Sequence, residues 1–339
     1  MVKKYLLYLL TVFSLFGCTQ EQASRKLGFY YWKTELHITP FLANYLEQTH
    51  ADRLFIKFAD IARNPTTGEI EPYALLVADT AGLAVKDIVP CFFITNSVFQ
   101  HTDESTLGWL SERLLESLES VGAQWGKKPQ QWPEIQLDCD WTTTTKTAYF
   151  SFLKKVKTHL PNTILNVTIR LHQYDNPTQT GVPPVQRGTL MCYNTGNIED
   201  KNAQNSIFSL ADASKYRPDA AYPLPLDLAL PIFSWALVYR AGELWRIIPE
   251  CHETTFSDTT KFKKNAHLFE VQNACFVGGH LLRPQDEIRV ETCTPQLLES
   301  GRSYWNTIQL ASDATVLFYH LDSLAAVRFS VEELERIKI

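Results

Sequence analysis

Two carboxylates two residues apart, Asp138 and Asp140, lie in the stretch Pro133-Glu-Ile-Gln-Leu-Asp-Cys-Asp-Trp141, an apolar run headed by a proline and followed by four threonines. Alternate residues of a β-strand share a face, so on a strand both acids point one way while Leu137 and Cys139 point the other. Paired carboxylates can divide acid and base work between them, because crowding raises the pKa of one. An apolar run ending in such a pair reads as a buried parallel strand that delivers acid groups to a cleft at its C-terminal end. Asp140, nearer that end, is the expected acid or nucleophile, with Asp138 deeper and tuning it. A buried acid needs a partner, and Arg170, on an alternating face with Thr168 and His172, is the nearest candidate for Asp138. His172 and His320 each close an apolar run; they are candidate substrate contacts, although a strand-end histidine is commonly a hydrogen-bonded surface residue. Ser234 has no nucleophile-elbow context, and no glycine loop suited to a phosphate is present.

Eight apolar segments could form the scaffold for these residues: 28–34, 53–59, 87–96, the carboxylate stretch, 163–172, 188–194, 227–235 and 314–320. Helical patterns separate most of them. Thr39 and Pro40 open a helix to about residue 50. Within 104–121, Leu107, Leu110, Leu114, Leu115 and Leu118 share a face, and within 143–160 Tyr149, Phe152, Leu153 and Val156 do the same. Strands alternating with helices pair in parallel through right-handed crossovers, and eight of them close into a barrel with its site at the strands' C-terminal ends. The predicted fold class is α/β, a (β/α)8 TIM barrel spanning 27–339 as one domain. The seventh and eighth segments are separated by roughly eighty residues, more than one helix needs. Residues 267–277 and 287–293 are β-rich and joined by a turn with Gly278, Gly279 and Pro284. They predict a small β insertion at about 251–300, serving as an edge cover or as one wall of the cleft.

The chain has 339 residues, 45% hydrophobic and 20% charged, with a net charge of -5. It can bury a large core, and with no basic run beyond the extreme N-terminus nucleic acid is not an expected partner. Aromatic residues make up 12%, with eight Trp; such rings fill cores, and they also serve as stacking platforms in sugar-binding clefts. Lys3 and Lys4 precede a short apolar run, too short to span a bilayer as a stable helix, and suit a secretory signal over 1–18. Its end, Leu15-Phe-Gly-Cys18, resembles the lipobox of bacterial lipoproteins. By that resemblance Cys18 is the lipidated first residue of the mature protein, followed by a polar tether over 19–26. Thr19 stands where an aspartate would favour inner-membrane retention, so the expected location is the cell envelope with outer-membrane attachment favoured. Of the remaining cysteines, Cys91, Cys139 and Cys192 read as small buried hydrophobes; Cys251, Cys275 and Cys293 fall in one late segment where a disulfide could form. No spacing resembles a zinc site, and neither metal nor cofactor is expected.

The run Ile135-Gln-Leu-Asp-Cys-Asp-Trp141 resembles the fourth-strand signature of the chitinase-like barrels, glycoside hydrolase family 18, which reads Asp-Gly-x-Asp-x-Asp-Trp-Glu; Asp138, Asp140 and Trp141 match it. Met191-Cys-Tyr-Asn194 is similar to that family's sixth-strand element. The resemblance implies a carbohydrate ligand; Trp141, Tyr193 and Asn194 lie in the matching motifs, and Trp32, Arg170, His172, Trp235 and His320, on or at the ends of other apolar runs, are further candidate contacts. Thr142 stands where the family has its acid glutamate, and an alkanol hydroxyl cannot be a general acid near neutral pH. Hydrolysis would then require a second carboxylate, and Glu35, Asp60 and Asp322, each just past an apolar run, are the candidates, Glu35 first. The alternative is a barrel that has lost the chemistry and kept recognition, a carbohydrate-binding envelope protein.

Overall fold

The computed structural model describes residues 25–217 and 221–338. The expected signal segment, most of the expected tether and Cys18 lie outside them. Eight parallel strands form a closed ring, and each falls on a segment expected from the sequence: β1 (Lys26–Tyr31), β2 (Arg53–Arg63), β3 (Asp87–Ile94), β4 (Glu134–Asp138), β5 (Ile164–Arg170), β6 (Arg187–Met191), β7 (Leu226–Pro231) and β8 (Thr315–Tyr319). Neighbours in the ring are neighbours in sequence, and β1 pairs with both β2 and β8 to close it.

Three helices lie as the apolar spacing requires: α1 (Pro40–Gln48), α2 (Glu104–Gly122) and α3 (Lys146–His159). Thr39 caps α1 by accepting the Leu42 N–H, and Asp103 caps α2 by accepting that of Thr106. One crossover departs from the helical pattern. Between β2 and β3, among the described residues, there is no α-helix; Ile70–Tyr73 instead returns antiparallel along the far end of β2.

Inward-facing side chains fill the barrel in layers, as a closed eight-stranded ring demands. The lowest layer is charged: Arg53 bonds Asp87 at 2.7 Å and Glu134 at 2.8 Å, while Arg187 bonds both oxygens of Asp227 at 2.7 and 2.8 Å. Above it Gln136 accepts from the Tyr30 hydroxyl at 2.9 Å and donates to Thr189 Oγ1 at 3.0 Å. Asp138 is the next inward residue of β4.

The β insertion is larger than expected and starts earlier. It begins at Ser234, so Trp235 belongs to it rather than to the end of β7. The apolar run 227–235 reads as one strand, but β7 ends at Pro231, which has no N–H to continue a ladder. Ser234–Arg240, Glu243–Pro249, Phe262–Asn265, Leu268–Val271 and Glu287–Thr292 form one antiparallel sheet, with a hairpin of Cys275–Val277 and His280–Leu282 beside it. The sheet has its own apolar core, including Val238, Ile248, Phe256, Phe269 and Ile288. The late segment, where a disulfide could have formed, holds none: Cys251, Cys275 and Cys293 are free thiols.

Candidate active site

β4 ends at Asp138, so the two acids of the signature sit in different surroundings. The Asp138 side chain is buried, 5% exposed, and accepts a hydrogen bond from Thr168 Oγ1 at 2.6 Å. Burial pushes its pKa up to about 6; the Arg170 charge and the Thr168 bond oppose that rise, and the Asp140 charge adds to it. Asp140 lies past the last ladder position and is exposed. Both its oxygens accept from the Arg170 guanidinium, through Nε and through Nη2, the latter at 2.8 Å. The expected Arg170–Asp138 pairing is therefore replaced by an Arg170–Asp140 fork, the geometry a planar guanidinium prefers.

A cavity of about 260 Å³ opens at the C-terminal ends of the strands. Among the residues expected from sequence, Asp138, Arg170, Trp32, Tyr193, Asn194, Trp235 and His320 line it. Tyr319, the last residue of β8, is the hub of its aromatic wall. It stacks on Tyr193 at 5.3 Å and 22°, and meets Trp32 and Phe233 edge-on at 5.8 and 5.6 Å. Trp235 is held by its indole N–H, which donates to Glu291 at 2.7 Å; Glu291 also accepts from Ser206 and faces Arg289 at 2.7 Å, all three buried. That fixes the ring as a wall rather than a mobile surface side chain. Burial holds the His320 pKa below the usual value, favouring the neutral ring, and its Nδ1 is buried without a hydrogen-bond partner.

Other expected site residues do not line this cavity. Asp140 points away into its fork with Arg170. Trp141 is fully buried, donating its indole N–H to the Thr180 carbonyl at 3.0 Å and stacking on Tyr149 at 5.4 Å, so it positions the β4 end without reaching a ligand. His172 is exposed on the short helix Leu171–Asp175. Glu35 pairs with Val77 in a two-stranded ribbon and faces a separate cleft with Lys33, His37 and Asp322. Asp60 is bound to Lys57 at 2.8 Å, and Asp322 caps the helix Ser323–Arg328. Thr142 hydrogen-bonds the hydroxyls of Thr144 and Thr145.

The second carboxylate at the cavity is Glu250, which the sequence reading missed. It follows the insertion strand Glu243–Pro249 in a left-handed conformation (φ 55°), and its Oε1 lies 2.8 Å from Lys33 Nζ. Donor atoms of Glu250, His320 and Asp322 lie within 4.8 Å of one another. Such a set could hold a divalent cation, but the Lys33 ammonium already supplies a positive charge there, and Asp322 uses one oxygen on its helix cap.

The chain is similar to the Bacillus cereus spore cortex-lytic enzyme SleL, with 13% identity, a TM-score of 0.50, and 93% of this chain and 73% of that one covered. The fold is that of a (β/α)8 TIM barrel. A fungal endo-β-N-acetylglucosaminidase of glycosyl hydrolase family 18 matches over 92% of this chain and 96% of its own, at 10% identity and a TM-score of 0.45. Active domain 2 of a thermostable Pyrococcus furiosus chitinase matches over 88% and 85%, at 10% identity and 0.40. No protein-family model and no curated protein matches the chain. In this TIM barrel the cavity occupies the C-terminal strand ends, where such folds carry their sites.

Proposed function

We propose that this protein is an exported, lipid-anchored, glycoside-hydrolase-like barrel that takes up a polysaccharide or glycan in the cavity between β4 and β8. The observation that carries this reading is the composition of the wall. Trp32, Tyr193, Tyr319 and Trp235 present ring faces and edges, while Asp138, Arg170, Asn194 and His320 present polar atoms among them. Sugars are amphipathic in the same way, with apolar C–H faces and a rim of hydroxyls. A sugar hydroxyl would also give the unpartnered His320 Nδ1 a hydrogen bond, where a buried polar atom left alone costs about 1–3 kcal/mol. At about 260 Å³ the cavity is close to the lower bound of ligand pockets, about 300 Å³, so it takes a short part of a glycan chain while the rest leaves through the mouth.

Titration with N-acetylated and neutral oligosaccharides, followed by tryptophan fluorescence, tests the reading. Trp235→Ala is expected to weaken the best ligand at least about tenfold, or about 1.4 kcal/mol. Equal affinity in parent and variant, or no ligand in the panel, would overturn it. The anchor rests on the lipobox-like end of the signal segment at Cys18. Cells expressing the chain should incorporate labelled fatty acid into it, and Cys18→Ser should abolish that label. Among the described residues no helix is long and apolar enough to cross a membrane.

A further inference from the structure

We infer that Asp138 and Glu250 are the acid and the base of a glycosidic hydrolysis that inverts the anomeric centre, the base having been supplied by the insertion instead of by β4. The inference rests on the glycan reading of the cavity and extends it from recognition to cleavage. Placement is its first support. Asp138 closes β4, whereas Glu250 lies within 4.8 Å of His320, the residue after β8, and is paired with Lys33, just past β1. In a ring of eight strands β4 and β8 are four strands apart, so the two carboxyl groups approach the cavity from opposite sides. Asp138 and Asp140, two residues apart on one chain segment, cannot do this.

Their environments also separate their roles. Asp138 is buried, has no cation bonded to it, and keeps its proton up to about pH 6, as a general acid needs. Glu250 sits at the open mouth, is 40% exposed, and lies 2.8 Å from the Lys33 ammonium. Water reaches Glu250 from solvent, which suits a base that activates a water molecule on the face opposite the leaving group. In the step, Glu250 takes one proton from water as the water oxygen bonds to the anomeric carbon. The bond from that carbon to the glycosidic oxygen breaks, and Asp138 gives its proton to that oxygen. One water is consumed and two hydroxyl ends are produced; Asp138 then recovers a proton from solvent as Glu250 releases one.

The test uses the purified full chain with the oligosaccharide that quenches its tryptophan fluorescence, and reads the first-formed anomer by proton NMR together with turnover. The expected product has inverted configuration, and turnover falls as pH rises through about 6, where Asp138 loses its proton. Glu250→Gln is expected to lower turnover by roughly 10²–10⁴-fold with ligand affinity kept within a few-fold. Glu35→Gln, whose carboxylate faces the separate cleft, should keep parental turnover. A retained anomer, or parental turnover in Glu250→Gln, overturns the assignment. Binding without turnover in the parent overturns hydrolysis and leaves glycan recognition standing. Absence of binding overturns both.

Discussion

Asp138→Asn is expected to make the protein more stable at pH 7.5, by up to about 3 kcal/mol, while removing the group on which the cavity's chemistry turns. The Asp138 pKa rises from an ordinary 3.8 to about 6 because burial disfavours its charged form. Each unit of such a shift is worth about 1.4 kcal/mol between the two protonation states. For a group whose folded pKa is raised, the folded chain binds the extra proton, so the stabilising contribution is fully present below about 3.8. It is lost as pH climbs through about 6. Above that pH the parent carries a buried carboxylate whose stabilisation by Thr168 and Arg170 does not make up for lost hydration. An asparagine of nearly the same shape keeps an oxygen for the Thr168 hydroxyl and carries no charge. Urea unfolding at pH 4, 5.5 and 7.5 should therefore show parent and variant converging at pH 4 and separating progressively above it. A variant less stable than the parent at pH 7.5 would mean that Asp138 is a structural residue held in its ionised form, and would remove the acid from the proposed mechanism.

The barrel itself was legible because strand and helix periods differ, and every strand of the ring carries its own apolar run. What sequence could not supply was where a strand stops. Asp138 and Asp140 share a face only while the ladder continues, and it ends at Asp138; beyond it the chain turns Asp140 outward to Arg170. The nearer-to-solvent acid therefore looked the better catalyst and is the one outside the cavity. Trp141 follows the same rule, since its ring drops into the packing between α3 and the Thr180 turn. The apolar run 227–235 likewise hid a boundary at Pro231, and with it the true start of the insertion. Glu250 had no local signal. It reaches the cavity because the antiparallel sheet within residues 234–292 folds back over the barrel mouth, a tertiary event with no counterpart in residue spacing.

The charged layer at the opposite end of the barrel gives the second large effect. Arg53 opens β2 and Glu134 opens β4, their side chains only 8% and 7% exposed and joined at 2.8 Å. The other Glu134 oxygen accepts from Asn166 at 2.8 Å, which ties the pair to the Arg187–Asp227 fork two strands on. Removing one partner of a buried ion pair leaves a charge that neither water nor protein solvates, at a cost of about 3–5 kcal/mol, whereas replacing both by apolar groups is often neutral. Arg53→Met should accordingly lose about 3–5 kcal/mol in urea unfolding at pH 7, and adding Glu134→Leu should recover most of that loss. A double variant as unstable as the single would show that the layer acts through its hydrogen bonds to Asn166 and Asp87 instead of through charge balance. In either outcome, below the unfolding transition the Arg53→Met protein should bind the cavity ligand like the parent. Conservation of stability and of recognition falls to opposite ends of a TIM barrel, and Gln136, Tyr30 and Thr189 form a filled polar layer between Arg53 and Asp138 that keeps the two ends apart.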